Sequence, residues 1–239
     1  MQKRILRITP ISTLVFTSYE SLSRKVTFSL LFIDILLIMA FWRYAYVMKM
    51  DLTDNIFFGN YYYSFIEFGI PETFGYLKQI LLIGVLAFIA RAAPEVGFGF
   101  RCLALAFFVA LLDDAAGLHE MLGRWAVRVL DVPPTIGDLV GFAMTGASIV
   151  ALWTIAMMSS RKHSMFVLCF PLSFFLAALI GVSVGVDFVH GLLSRHADIS
   201  RTVLTTMEDG SELILMTFLL GAALQIAESR GTWQVSARA

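Results

Sequence analysis

The chain has 239 residues, 58% of them hydrophobic and only 15% charged, with no net charge. A soluble domain is about half apolar and about a quarter charged, so this composition fits a protein whose solvent is the bilayer. The neutral balance, with no basic tract interleaved with aromatics, sets nucleic acid aside as a partner.

The first residues, MQKRILRITPISTLVFTSYESLSRK, are basic but hold no sustained apolar run and no small-residue cleavage pattern. They read as a cytoplasmic segment over 1–25, with the first span acting as an uncleaved signal. A spanning helix needs roughly 20 mostly apolar residues. Six stretches meet this: 26–48, 73–92, 98–118, 136–158, 165–190 and 210–228. Pro71, Pro94 with Gly97, and Pro133 with Pro134 punctuate the breaks. Pro171 falls in the first turns of the fifth stretch, where it costs least. The expectation is an all-α polytopic helix bundle over 26–228, of six transmembrane helices, followed by a cytoplasmic tail over 229–239. Cys102 and Cys169 lack any Cys-x-x-Cys or zinc-finger spacing and read as reduced, structural residues.

Orientation follows from charge. The N-terminal side collects Lys3, Arg4, Arg7, Arg24, Lys25, Arg91, Arg101, Arg161, Lys162, Arg230 and Arg238, eleven of the eighteen basic residues. The positive-inside rule makes that side cytoplasmic and puts both termini there, as in a multipass protein of a bacterial inner membrane. Trp42 and Trp125 near the outer face, Trp153 and Trp233 near the inner one, and Tyr61 to Tyr63 suit interfacial anchoring.

Acidic residues divide the other way. Asp113 and Asp114 interrupt LALAFFVALLDDAAGLHE, Asp187 follows FFLAALIGVSVGV, and Glu212 leads into LILMTFLLGAAL. Ionisable groups inside a span are costly by a few kcal/mol, so they turn inward and find partners, or they function. Topology brings the outer ends of the third, fifth and sixth spans to one level. Asp187 and His190 are three apart, Glu208 and Glu212 four apart, so each pair shares a helix face. His119 points about 120° away from Asp113 on an ideal helix and meets it only if the helix loosens near Gly117. A faint repeat at an offset of 71 relates His119-x-x-Leu122-x-Arg124 to His190-x-x-Leu193-x-Arg195, and Asp138 to Asp209.

Two histidines among several carboxylates form the ligand set of a zinc site or of a carboxylate-bridged iron or manganese pair. Facing helices of a bundle build such sites. The candidate ligands of a divalent metal are His119, Asp187, His190, Glu208 and Glu212. Asp114 and Glu120 are the candidate catalytic carboxylates, one of them activating metal-bound water. Structural alternatives stand beside each of these. Asp113 and Asp114 could pair with Arg124 or Arg128, and Asp187 with His190 could be a structural hydrogen-bonded pair. Glu208, Asp209 and Glu212 could cap the sixth span, since first-turn acids suit the positive helix end. Asp34, in the middle of the first span, must turn into the bundle or line a polar cavity.

The segments LLDDAAGLHE and EDGSELILM resemble motifs of uncharacterised bacterial multipass membrane proteins that pair an acidic-x-x-x-Leu-His-Glu segment with a later acidic helix start. More distantly, the layout resembles that of the alkaline ceramidase and adiponectin-receptor hydrolases, which hold zinc with three histidines and an aspartate. Six spans instead of seven, and the lack of a His-x-x-x-His pair, restrict that likeness to site placement.

Three functions follow as expectations. The first is a metal-dependent hydrolase or oxidase acting on a lipid-like substrate at the outer face. The second is a small proton-coupled transporter with a relay through Asp34, Asp114, Asp187 and Glu212, although the cytoplasmic halves of the third and fifth spans offer almost no polar side chain to continue it. The third is an assembly subunit whose outer face docks another membrane protein.

Overall fold

The computed structural model describes residues 21–159, 172–179, 181 and 198–238, and every regular element among them is helical. In chain order these are α1 (Leu22–Lys49), a single 3-10 turn (Tyr61–Tyr63), α2 (Ile70–Ala92), α3 (Pro94–Ala116), α4 (Leu118–Leu130) and α5 (Pro134–Ser159). After them come α6 (Asp198–Thr205), a π-helical turn (Thr206–Gly210) and α7 (Ser211–Arg238). Residues 172–179 are helical as well.

Among the described residues, four helices are long and apolar enough to cross a membrane: α1, α2, α5 and the continuous stretch Thr202–Ser229. A fifth candidate is the bent pair of Gly97–Ala116 and Leu118–Leu130, whose axes differ by 78°. Most of the stretch 165–190, read from sequence as the fifth span, lies outside the described residues. The outward side chains suit lipid: on α1, Phe28 is 58%, Phe32 63% and Met39 62% exposed, while Asp34 between them is fully buried.

Two boundaries differ from the sequence reading, each for a local reason. The third span stops at Ala116 because Gly117 takes a left-handed conformation, φ 59°, and returns its N–H to the Asp113 carbonyl. A residue without Cβ adopts this conformation readily, and it ends a helix. The sixth span does not start at 210. Thr205 and Ser211 both keep right-handed helical angles, so the helix runs unbroken from α6 through the π turn into α7. Glu208 and Asp209 therefore sit inside a continuous helix, which overturns their reading as N-terminal caps.

The chain divides into two compact units, one of residues 1–78 with 170–239 and one of residues 79–169. In the first, α1 packs along α7. The approach is close enough that a methyl group at Gly221 would collide with the Thr27 hydroxyl. At the end of this seam Glu228 caps α1, accepting from the Ser23 backbone N–H at 2.8 Å and from its hydroxyl at 2.6 Å. In the second, α5 packs on both α3 and α4. A methyl at Gly141 would strike the His119 carbonyl oxygen, and one at Gly137 the Val127 side chain. Small residues let these helices approach backbone to backbone.

Candidate functional site

The deepest polar group of the first unit is an ion pair. Lys78 of α2 and Asp34 of α1 are both fully buried, with Nζ to Oδ1 at 2.8 Å. An ammonium has three N–H donors and no acceptor. Here all three are used: Nζ donates to Asp34 Oδ1, to Thr217 Oγ1 at 3.1 Å and to the Leu213 carbonyl. Thr217 then donates to the other carboxylate oxygen, Oδ2, at 2.6 Å. The lysine head also lies 4.9 Å from the centre of the Phe74 ring, within cation–π range. Three helices thus close a polar triangle in which each group has a partner. Such closure is what makes a charge tolerable in a low-dielectric interior.

Further polar side chains lie toward both ends of the helices. One turn before Leu213 in sequence lies Asp209, within electrostatic reach of Glu72, Glu208 and Glu212. Glu208 and Asp209 belong to the π turn itself, an insertion common at functional sites. On the other side lie Thr27, whose hydroxyl donates to the Ser23 carbonyl at 2.8 Å, and the Ser23–Glu228 cap. Between Thr217 and that cap α7 buries Leu219, Leu220, Ala223 and Ile226. An apolar layer of about two turns therefore separates the ion pair from the Glu228 end.

The second unit holds the hinge between α3 and α4. The left-handed Gly117 supplies the loosening that His119 needs. Asp113 Oδ1 accepts the His119 backbone N–H at 2.7 Å and lies 2.9 Å from its Nδ1. The ring stacks on Phe142 at 4.0 Å between centroids. A carboxylate on Nδ1 and an aromatic face fix the imidazole orientation. Asp114 accepts from Gln79 Nε2 at 2.8 Å. Glu120 pairs with Arg124 at 3.1 Å on the exposed face of α4, and Arg128 donates to the Arg124 carbonyl. The pairing of Asp113 or Asp114 with either arginine, considered from sequence, gives way to these contacts.

The sequence candidates are thus distributed as follows. Glu208 and Glu212 lie with Asp209 and Glu72 in the first unit, and Asp114, His119 and Glu120 lie about the hinge in the second. Asp187 and His190 are outside the described residues. Among the described residues, no three His, Cys, Asp or Glu side chains are placed to share one metal ion. Lys78 and Thr217 were missed. The signal for Lys78 was present, since Asp34 is the only charge in the apolar run 26–42 and Lys78 the only one in 73–90.

Fold and site define an all-helical protein with, among the described residues, four or five helices fit to cross a membrane and a buried charge centre between α1, α2 and α7. Residues 28–226 match the model of a family described as a domain of unknown function (DUF8692), and the chain belongs to that family. No curated protein and no solved structure matches it. Nothing in these comparisons connects it with alkaline ceramidases or adiponectin receptors.

Proposed function

We propose that this is a multipass carrier of a bacterial inner membrane, with six spans and both termini in the cytoplasm, which couples transport to protons at the Lys78–Asp34–Thr217 centre. The observation that carries the proposal is a fully buried ion pair between helices otherwise suited to lipid. Ionisable groups in such positions commonly belong to proton or ion pathways. Helix adhesion does not require them, because a buried ion pair replaced by packed apolar residues is often neutral or stabilising.

The chemistry is a switch. With Asp34 ionised, Lys78 is held by three acceptors and the centre is closed. A proton on Asp34 cancels the ion pair and releases the ammonium, which the carboxylates around the π turn attract or which an anionic solute group can take. The buried polar groups lie between α1, α2 and α7, away from the apolar cytoplasmic halves of the third and fifth stretches, and the apolar layer before Glu228 is the barrier a carrier must open.

Proteoliposomes loaded with a pH-sensitive dye test this, under a potassium diffusion potential, with and without an external mixture of amino acids, organic acids and amines. Wild type is expected to take up protons, Asp34→Asn to lose at least tenfold of that rate, and Asp34→Glu to retain much of it. A folded Lys78→Met/Asp34→Leu variant that transports like wild type, or a wild type no faster than empty liposomes, would reduce the pair to a structural tie. Alkaline phosphatase and green fluorescent protein fusions at each loop check the six-span orientation.

A second reading, a metal-dependent enzyme acting on a lipid-like substrate, draws support from the Asp113–His119 pair. A carboxylate bonded to one ring nitrogen is the usual support of a metal-ligating histidine. Zinc, iron or manganese found in stoichiometric amount by elemental analysis, and lost in His119→Ala and Asp113→Ala, would favour it.

A further inference from the structure

The helix α4 is not part of the carrier centre, and its three faces are chemically distinct. Gly123 and Ala126 are buried against α5. Met121, Trp125 and Val129, four residues apart and so in one stripe, are 53%, 46% and 59% exposed. Arg124 and Arg128 form a neighbouring stripe and are also exposed. The hinge at Gly117 turns α4 by 78° from α3. Transmembrane helices tilt on average by about 20° from the normal. If α3 crosses the bilayer, α4 then lies within about 30° of the membrane plane. At 13 residues it is about 20 Å long, too short to span a hydrocarbon core of about 30 Å alone.

From this placement we infer that α4 lies in the membrane–water interface and binds anionic lipid headgroups, its Met121–Trp125–Val129 stripe in the acyl boundary and Arg124 and Arg128 on lipid phosphates. Tryptophan is favoured at this depth because its ring is apolar and its N–H polar. Arginine carries several N–H donors in a planar fork suited to phosphate. One Arg124 nitrogen bonds Glu120 and one Arg128 nitrogen bonds a backbone carbonyl, which leaves each guanidinium further donors. A soluble protein partner would meet the arginines but leave the apolar stripe in water. A lipid surface accommodates both.

The experiment uses full-length protein in nanodiscs. Nitroxide labels are placed singly at positions 121, 124, 125 and 128 after Cys102→Ser and Cys169→Ser, and depth is read from the ratio of oxygen to nickel-chelate accessibility. Labels at 121 and 125 are expected about 5–10 Å below the phosphates, and those at 124 and 128 at phosphate level. If the cysteine-free background fails to fold, quenching by brominated lipids gives the same depth from wild type compared with Trp125→Phe, which should lose a shallow component. Phosphatidylglycerol retained on purified protein, counted by native mass spectrometry, is expected to fall at least threefold in Arg124→Gln/Arg128→Gln. A mid-bilayer depth at 125 would make α3 and α4 one broken span and overturn the inference. Full water exposure at 121 and 125, or unchanged phosphatidylglycerol retention, would overturn it as well.

Discussion

The two units hold their helices together in different ways. In residues 79–169, α4 and α5 meet backbone to backbone, through Gly123, Gly137 and Gly141. In the other unit, α1 and α7 also meet at a small residue, Gly221 against Thr27, yet a fully buried lysine of α2 and aspartate of α1 lie beside them. Close glycine packing joins α4 to α5, whereas a fully buried ion pair joins α1 to α2 in the other unit. The contrast breaks most directly at Lys78. Lys78→Met leaves Asp34 buried without its cation, and breaking a buried pair costs on the order of 3–5 kcal/mol. The expected result is a large fall in the melting temperature of the detergent-purified protein. Lys78→Met/Asp34→Leu should recover most of it, since apolar replacement of both partners removes the unpaired charge. A single variant as stable as wild type would end the distinction between the units.

Next in size is the hinge side of the comparison. At Gly141 a Cβ would meet the His119 carbonyl oxygen, a backbone atom that cannot move without shifting α4. Overpacking of this kind costs about 1–3 kcal/mol. Gly141→Ala should lower the melting temperature by less than Lys78→Met does, and Gly141→Val by more than Gly141→Ala. No larger apolar partner can repair it, unlike the ion pair. Steric loss without charge rescue here, against charge rescue at Lys78, sharpens the difference between the two modes of packing.

What the sequence shows depends on how local the signal is. Apolar run length placed α1, α2 and α5 to within a few residues, because a helix long enough to cross a bilayer leaves few other readings of such runs. The break at Gly117 was foreseeable as a condition, since His119 and Asp113 meet only if the helix loosens there. Its φ of 59° and the 78° turn are tertiary outcomes, held by Gly141 packing under His119. The acids of MEDGSEL misled for the opposite reason. Acids next to a glycine look like a helix start, but the helix arrives from Asp198 and passes through a π turn that no composition rule announces. The Lys78–Asp34 pair was hidden by separation, 44 positions apart in sequence. Each charge looked solitary, and only the packing of three helices pairs them.

The smaller effects test whether charge matters at helix ends as it does in the seam. Glu228 accepts two hydrogen bonds at the start of α1, where the helix dipole also favours an anion. Losing a cap costs about 0.5–2 kcal/mol, and the partly exposed Glu228 belongs toward the lower end. Glu228→Ala should lower the melting temperature modestly, and Glu228→Gln less, because the amide oxygen still accepts the Ser23 N–H. The Glu120–Arg124 pair sits lower still. Its side chains are 56% and 60% exposed and four residues apart on a helix, a geometry that contributes about 0.3–0.5 kcal/mol. Glu120→Gln should leave the melting temperature within error in detergent. It frees Arg124, so phosphatidylglycerol retention should stay level or rise. A clear loss of stability with this variant would mean that α4 is held by its charges and not by its glycines, and the contrast between the units would disappear.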